Sequence, residues 1–447
     1  MEQRKTSGIE TMTQKFKETE IGMIPEEWNL CQFEDLFEVP LRNGLTRPKK
    51  MRGSGIKMVN MGELFSYERI FSNMETDKVP ILEDEFEKFK LKKGDLLFAR
   101  QSLVLEGAGR CSIIMDDIIP STFESHIIRV RLNEKLADPL FYFYFYKSTV
   151  GRNIVSSIVE QVAAAGIRGS DLSKLSVLYP PIEEQKSIAN VFSILDDKIE
   201  LNNQMSKTLE QITQTLFKHW FIDFEFPDEN GNPYKSSGGR MVDSELGEIP
   251  EGWEVKKIGN YLNTISKTYP LNTVSEVIFL NTGDIQNGRF LHSNKSTVET
   301  LPGQAKKSIQ KDDILYSEIR PENKRFAYVF FDGKEYVVST KLMVLRPIAD
   351  IDSKFLYFIL TQQDIIDFLQ TMAESRSGTF PQITFNVLSQ VEFCGPKDNK
   401  IIHMFSKSIL APFMQERYLK DEENIRLSNI RDSLLPKLMS GKIRVEC

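Results

Sequence analysis

Residues 20–28 read EIGMIPEEW, and residues 245–253 read ELGEIPEGW. Their Gly, Pro and Trp stand in the same register, so either the match is chance or the chain repeats itself. The segments that follow decide between these. LKKGDLLFAR (91–100) is answered by IQKDDILYSEIR (309–320), placing Lys93, Asp95 and Phe98 over Lys311, Asp313 and Tyr316. RVRLNEKLADPLFYFYF (129–145) is answered by VLRPIADIDSKFLYFIL (344–360), with Arg131 over Arg346. GIRGSDLSKLSVLYPP (166–181) faces TFPQITFNVLSQVEFCGPK (379–397), and LEQITQTLF (209–217) faces LSNIRDSLL (427–435). The order is kept while the offset drifts only from 225 (20 to 245) to 215 (131 to 346). The chain is a duplicated unit of roughly 220 residues, far longer than the repeat of a solenoid.

Within each copy, short β-branched and aromatic runs such as GDLLFA, SIIM, HIIRVRL, YVFF and YVVSTKLMVLRP read as strands. DPLFYFYFYKS and SKFLYFILTQQDIIDFLQTM read as helices beneath them. The back of the first copy differs. From Glu183 the chain continues without Gly or Pro to Phe221, and Ile188, Phe192, Leu195, Ile199, Leu209 and Leu216 fall on the 3–4 spacing of a coiled-coil seam. Asn202, Ser206 and Thr213 interrupt that seam with polar side chains. Some 35 residues of helix make a rod of about 50 Å. The second copy keeps the pattern at Ile402, Phe405, Ile409, Phe413, Ile430 and Leu434, with Pro412 as an interruption. Neither rod buries its stripe alone. The economical arrangement pairs them antiparallel; the alternative folds each onto its own domain.

The expected architecture is mixed α+β: two tandem α/β domains separated by long paired antiparallel helices, related by an internal pseudo-twofold repeat. The expected divisions are a mobile tail (1–19), a first domain (20–182), a central helix (183–225), a linker (226–244), a second domain (245–397) and C-terminal helices (398–447).

Composition narrows the function. Apolar residues are 40% and charged residues 27% of the 447, the balance of a globular protein. No apolar run reaches the roughly 18 residues of a membrane span, and the polar N-terminus is not a secretory signal. The four cysteines are scattered and form no CxxC pair, which suits a reducing cytoplasm and argues against a zinc ribbon. A Walker A loop, an HExxH pair, a GxSxG elbow and an amino-methyltransferase Asn/Asp-Pro-Pro-aromatic site are all missing from the sequence. EGAGR (106–110) supplies only a lone GxG. A catalytic role is therefore not expected. A net charge of −6 does not announce a nucleic-acid ligand, but LRNGLTRPKKMRGSGIKMVN (41–60) is locally basic and contains no acid.

Two diverged heads of like fold on a spacer suit duplex DNA carrying two unlike half-sites and an unread gap. At this point the chain resembles the specificity subunit of a Type I restriction-modification enzyme, over nearly its whole length. The resemblance is carried by ELGEIPEGW, KKGDLLFAR, YPPIEEQKSIANVFSILDDKIELNNQ, LFKHWFIDFE and RDSLLPKLMSGKIRV. GPKDNKIIHMF (395–405) departs from it, lacking the PPxxEQ form of the first copy. The resemblance implies two target-recognition domains, one per half-site, and adenine methylation and ATP-dependent cleavage by partner subunits. It implies two methyltransferase subunits docked on the helices, restriction/translocase subunits in the full complex, and S-adenosylmethionine, ATP and Mg²⁺ held by those partners.

Base edges are read by Arg, Asn and Gln, and phosphates are held by Arg and Lys. The candidates for DNA contact in the first head are Arg42, Arg47, Lys49, Lys50, Arg52, Arg100, Gln101 and Arg110. In the second head they are Arg320, Asn323, Lys324 and Arg325, at the place matched to Arg100, with Lys306, Lys307 and Arg376 weaker and Arg168 specific to the first head. Trp28 and Trp253 read as core or cap positions, and His219 and Trp220 as packing or partner surface. The competing reading is a two-headed scaffold that joins two protein partners; a stand-alone nuclease or methyltransferase is a third.

Overall fold

The computed structural model describes residues 15–161, 165–348 and 350–445. It divides into two compact units: 1–198 together with 427–447, and 199–426. The division runs through the helices, so each unit comprises a head and its own stretch of helix pair.

The first head is built on a mostly antiparallel sheet. Phe37–Asn43, Ile127–Leu132, Leu96–Ala99 and Cys111–Ile114 lie side by side in that order, with Arg69–Ile70 parallel at the edge. The second head repeats it: Leu262–Ile265, Leu342–Pro347, Ile314–Ser317 and Phe326–Tyr328 stand in the same order. A smaller sheet accompanies each, centred on the parallel pairs Ile56–Val59 with Ser121–Phe123 and Glu276–Leu280 with Tyr336–Ser339. The duplication read from sequence is thus a duplication of topology. YVVSTKLMVLRP is not one strand: it turns at Thr340–Lys341 and gives a strand to each sheet of the second head.

The helix under the first sheet, Pro139–Lys147, is capped by Asp138, whose carboxylate accepts the Phe141 amide at 2.9 Å. Its FYFYFY run is buried on all sides, as an all-round apolar helix must be. Asp352 caps the matching helix Ser353–Leu360 in the same way. The stretch expected to continue that helix breaks at Thr361–Gln362 and restarts as Gln363–Arg376.

The opener is a hairpin in each copy, Phe16–Thr19 with Gly22–Pro25 and Met241–Ser244 with Gly247–Pro250. Part of the expected N-terminal tail is therefore a strand; its remainder, 1–14, lies outside the described residues. Trp28 is fully buried and donates to Glu184 at 2.9 Å, while Trp253 stacks on Phe226 at 5.0 Å between centroids. Both tryptophans are core. Phe226 also stacks on Tyr234 at 4.7 Å, so the 226–244 stretch, expected as a linker, is a packed part of the second unit.

The long helix Ile182–Phe217 (α1) and the helix Ala411–Met439 (α2) run antiparallel within each unit. In the first unit Arg431 donates to Asp196 at 2.7 Å, and Leu435, Leu438 and Met439 share a core with Ile188, Ala189 and Phe192. In the second, the Asn202 amide donates to Glu423 and Asn424 at 2.9 Å, and Arg417 faces Glu210 at 3.7 Å. Pro412 does not end the second rod. It sits just after a π turn, Ser406–Leu410, that joins Lys400–Phe405 to α2 and relaxes the ladder where proline removes a donor.

Candidate nucleic-acid interface

Each head presents loops at the ends of its main sheet, and the side chains there sort by what already holds them. In the first head, Arg42 stands next to the end of the strand Phe37–Asn43, exposed, with its guanidinium 5.2 Å from the centre of the Phe89 ring. Gly44 allows the chain to lie against the Phe123 and Glu124 carbonyls, where a Cβ would come within 2.3 Å of each oxygen. Lys49 and Lys50 follow on a short exposed 3₁₀ turn.

Arg47 and Arg52 already have partners within the chain. Arg47 pairs with Glu85 and donates to the Pro80 carbonyl at 3.3 Å. Arg52 donates to Asp77 at 2.6 Å, to Asn60 at 2.9 Å and to the Arg47 carbonyl at 3.1 Å. They brace the loop from within. The acids that neutralise them are remote in sequence, so a count of local charge overstated the patch. Arg42, Lys49 and Lys50 remain as its exposed cations.

The loop 100–110 is held by its backbone. The Arg100 amide donates to His126 and its carbonyl accepts from Ile167, while Gln101 pairs with Gly166. Gln101 is exposed, Arg100 is half-exposed, and Arg110 lies 5.8 Å from the Phe65 ring. Leu103, Val104 and Leu105 form the tip.

The matching loop of the second head, 318–325, is bent harder. Arg320 and Lys324 adopt left-handed backbone, φ 43° and 51°, on either side of the 3₁₀ turn Pro321–Asn323. For non-glycine residues that conformation costs of order 1 kcal/mol each, and the surroundings must enforce it. The Arg320 amide donates to Pro381, the Lys324 carbonyl accepts from Asn287 at 2.7 Å, and Gln286 donates to the Asn323 carbonyl at 2.8 Å. Arg320 is exposed; Asn323, Lys324 and Arg325 are half-exposed, and Arg325 makes a long contact of 3.5 Å to Thr282.

Backbone hydrogen bonds fix the equivalences. The Ala99 amide donates to Arg110, and the Ser317 amide to Arg325. Arg110 and Arg325 are therefore counterparts. Arg100, whose carbonyl accepts from Ile167, corresponds to Glu318, whose carbonyl accepts from Ile383, and not to Arg320. Lys307 is held inside the fold: it donates to the carbonyls of Thr340 and Leu342 at 2.9 and 2.8 Å, and burial pushes its ammonium below the usual lysine range. Arg168 and Arg376 are partnered by Glu160 at 2.7 Å and Thr384 at 3.3 Å.

At the end of each third strand opposite its loop stands an ion pair whose members fall at matched positions of the two copies. Arg131 grips Asp95 with two hydrogen bonds of 2.7 Å, and Arg346 grips Asp313 at 2.7 and 2.8 Å. Both aspartates are fully buried. Burial pushes the Asp95 carboxyl up, and the Arg131 guanidinium pulls against it. Beside the Asp95–Arg131 pair, Arg129 is buried with its Nε unpartnered among the described residues.

The helix pair offers a different surface. Its seam in the second unit is polar, with Asn202, Ser206 and Thr213 buried. The neighbouring Leu201, Met205 and Ile212 of α1 face outward, as do Leu419 and Ile430 of α2. Among the described residues no cluster of three or more His, Cys, Asp and Glu is placed to hold a metal, and no helix is long and apolar enough to cross a membrane.

Comparison with known proteins places this geometry. The family model described as Type I restriction modification DNA specificity domain matches residues 25–211 and again 250–411. The chain is 42% identical over 183 residues to the Type I restriction enzyme HindI specificity subunit of Haemophilus influenzae, covering 41% of this chain and 39% of that protein. It is 27% identical over 448 residues to the MjaIX specificity subunit of Methanocaldococcus jannaschii, covering 97% of each. Among solved structures, the S subunit of a Type I restriction-modification system from M. genitalium matches with a TM-score of 0.55 at 16% identity, over 92% of this chain and 96% of that one, a likeness of fold.

Proposed function

Because this chain belongs to the Type I restriction-modification DNA specificity family, we propose that it reads a bipartite, asymmetric duplex target, one half-site per unit. The observation that carries this is a repeated scaffold with unlike loops. The strand order is the same in both units, yet the loop between the third and fourth strands reads RQSLVLEGAGR in one and EIRPENKR in the other. A common frame with diverged loop chemistry suits two different base sequences. The proposed contacts are Arg42, Lys49, Lys50, Arg100, Gln101 and Arg110 for the first half-site, and Arg320, Asn323, Lys324 and Arg325 for the second.

On this reading the chain supplies recognition and not chemistry. Adenine methylation and ATP-dependent cleavage belong to partner subunits, which hold S-adenosylmethionine, ATP and Mg²⁺. Two methyltransferase subunits dock on the helices, and the outward Leu201, Met205 and Ile212 support that placement, since a helix face of this kind gains by being covered. The helices joining the units set the gap between half-sites.

The test is to express the chain with its methyltransferase partners and map methylated adenines across a genome. One motif with two unlike halves and a fixed gap is expected. A palindromic motif would refute the division of labour between units. A scaffold that joins proteins without reading DNA would leave no motif and show no duplex affinity at low salt, whereas phosphate contacts give an affinity falling steeply with ionic strength.

A further inference from the structure

The tip of the 100–110 loop carries three apolar side chains in succession. Leu103, Val104 and Leu105 keep 96, 60 and 48% of their surface exposed. Single exposed apolar residues are ordinary; a run of three on a loop tip is a contact surface. The loop is not slack. A Cβ on Gly107 would lie 2.1 Å from the Ser102 hydroxyl oxygen, and one on Gly109, at φ +68°, would lie 2.2 Å from Val155. The Val104 amide donates to Ser102 at 3.2 Å, and Arg152 donates to the Glu106 carbonyl at 2.8 Å. The base of the loop is paired with Ala165–Gly166. The tip is anchored from inside, and its apolar side chains are held out to water.

The surroundings say what would cover it. At the base stand exposed Gln101 and half-exposed Arg100, groups that address the donor and acceptor edges of bases. The corresponding loop of the second unit, 318–325, has no exposed large apolar side chain and presents Arg320 instead. A surface serving the same assembly contact in both units would keep its chemistry, whereas a reader of unlike sequences would change it. In the major groove, the thymine methyl is the apolar group a base edge presents.

We propose that Leu103, Val104 and Leu105 form an apolar reader that packs on thymine methyl groups in the half-site of the first unit. This rests on the DNA-reading function proposed above. If the partners methylate adenine in that half-site, a thymine stands opposite it, so a methyl group is available. One buried methyl is worth roughly a fourfold change in affinity.

The experiment uses the chain assembled with its methyltransferase subunits, and duplexes carrying the mapped target in which single thymines are replaced by deoxyuridine, which removes only the methyl. The expected result is a loss of about fourfold for at least one replacement in the first half-site and a similar loss for Leu103→Ser on the unmodified duplex. The thymine–uracil difference at that position should disappear in the variant. The side chain is almost wholly exposed, so folding is not at stake, and circular dichroism checks it. Uridine without effect throughout the first half-site overturns the proposal. So does a Leu103→Ser loss accompanied by 2-aminopurine unstacking in the wild-type complex, which assigns a wedge between base pairs. Failure of the variant to retain its partner subunits overturns it too, assigning a protein contact. A wild-type complex with no duplex affinity at low salt removes the DNA-reading function itself, a result separate from these.

Discussion

Asp95 and Asp313 close the same turn in the two repeats. Each carboxylate accepts the amide three residues back, from Lys92 and Gln310, both at 2.8 Å, and each is gripped by an arginine from the neighbouring strand. The turn requires a positive φ at its third residue, supplied by Gly94 at +85° and by Asp312 at +69°. Asp312 offsets the strain by accepting from the Tyr328 hydroxyl at 2.8 Å. Removing one partner of a buried pair leaves a charge without compensation, so Arg131→Ala should cost about 3–5 kcal/mol, read as lost hydrogen-exchange protection in the first unit. Burial already raises the Asp95 carboxyl, and the variant loses the group that opposes it. A carboxyl raised in the folded state stabilises below its unfolded value and loses that contribution as pH rises through the folded one. The deficit of the variant should therefore be widest at neutral pH and narrow toward about pH 4. Arg320 belongs to the other kind of residue, exposed on an enforced backbone. Arg320→Ala should weaken binding to targets with the correct second half-site by roughly 1–3 kcal/mol if it makes a bidentate base contact. An equal loss on every sequence, measured by competition, would make it a phosphate contact.

The helix pair inverts the usual pattern of a coiled coil along its middle. Polar Asn202, Ser206 and Thr213 occupy the seam, while Leu201, Met205 and Ile212 turn outward. Asn202 meets Asn424 across the seam, and Asn424 returns a bond to Asn203 at 3.2 Å. A buried polar pair of this kind fixes register, since any slip strands both groups. The outward apolar positions contribute little to the fold of the free chain. Leu201→Glu combined with Met205→Glu should leave its melting within about 0.5 kcal/mol of the parent. The same variant should lose methyltransferase subunits on co-purification, and unchanged assembly would move docking to another face. On α1 the 3–4 spacing identified the seam in advance, including its polar members; on α2 it also assigned Ile430 to the seam, and that side chain faces outward. That the adjacent leucine and methionine stay outside was not legible there, because burial depends on which neighbour arrives, and sequence spacing fixes only the face.

For the molecule as a whole, the proposed spacer role has a direct test that the helix contacts refine. A heptad added to α1 alone after Ser206 would shift Glu210 away from Arg417 while leaving Asn202 opposite Asn424. A compensating heptad between Arg417 and Glu423 keeps both contacts, and the paired insertion should lengthen the gap in the methylated motif without changing either half-site. Altered half-sites would contradict the assignment of reading to the heads and spacing to the helices. The sequence by itself determined the duplication, the α+β character of each copy, the helical seam and the family, because these rest on order and periodicity carried by the chain. It also matched Asp95 with Asp313 and Arg131 with Arg346. Only the tertiary structure decided that each match is one ion pair seen twice, that Arg47, Arg52 and Lys307 are consumed inside the fold, and that Arg110 and not Arg100 is the counterpart of Arg325. The reason is physical: a charged side chain is free or spent according to partners brought from Glu85, Asp77 or the Thr340 carbonyl, and those distances exist only once the sheets have formed.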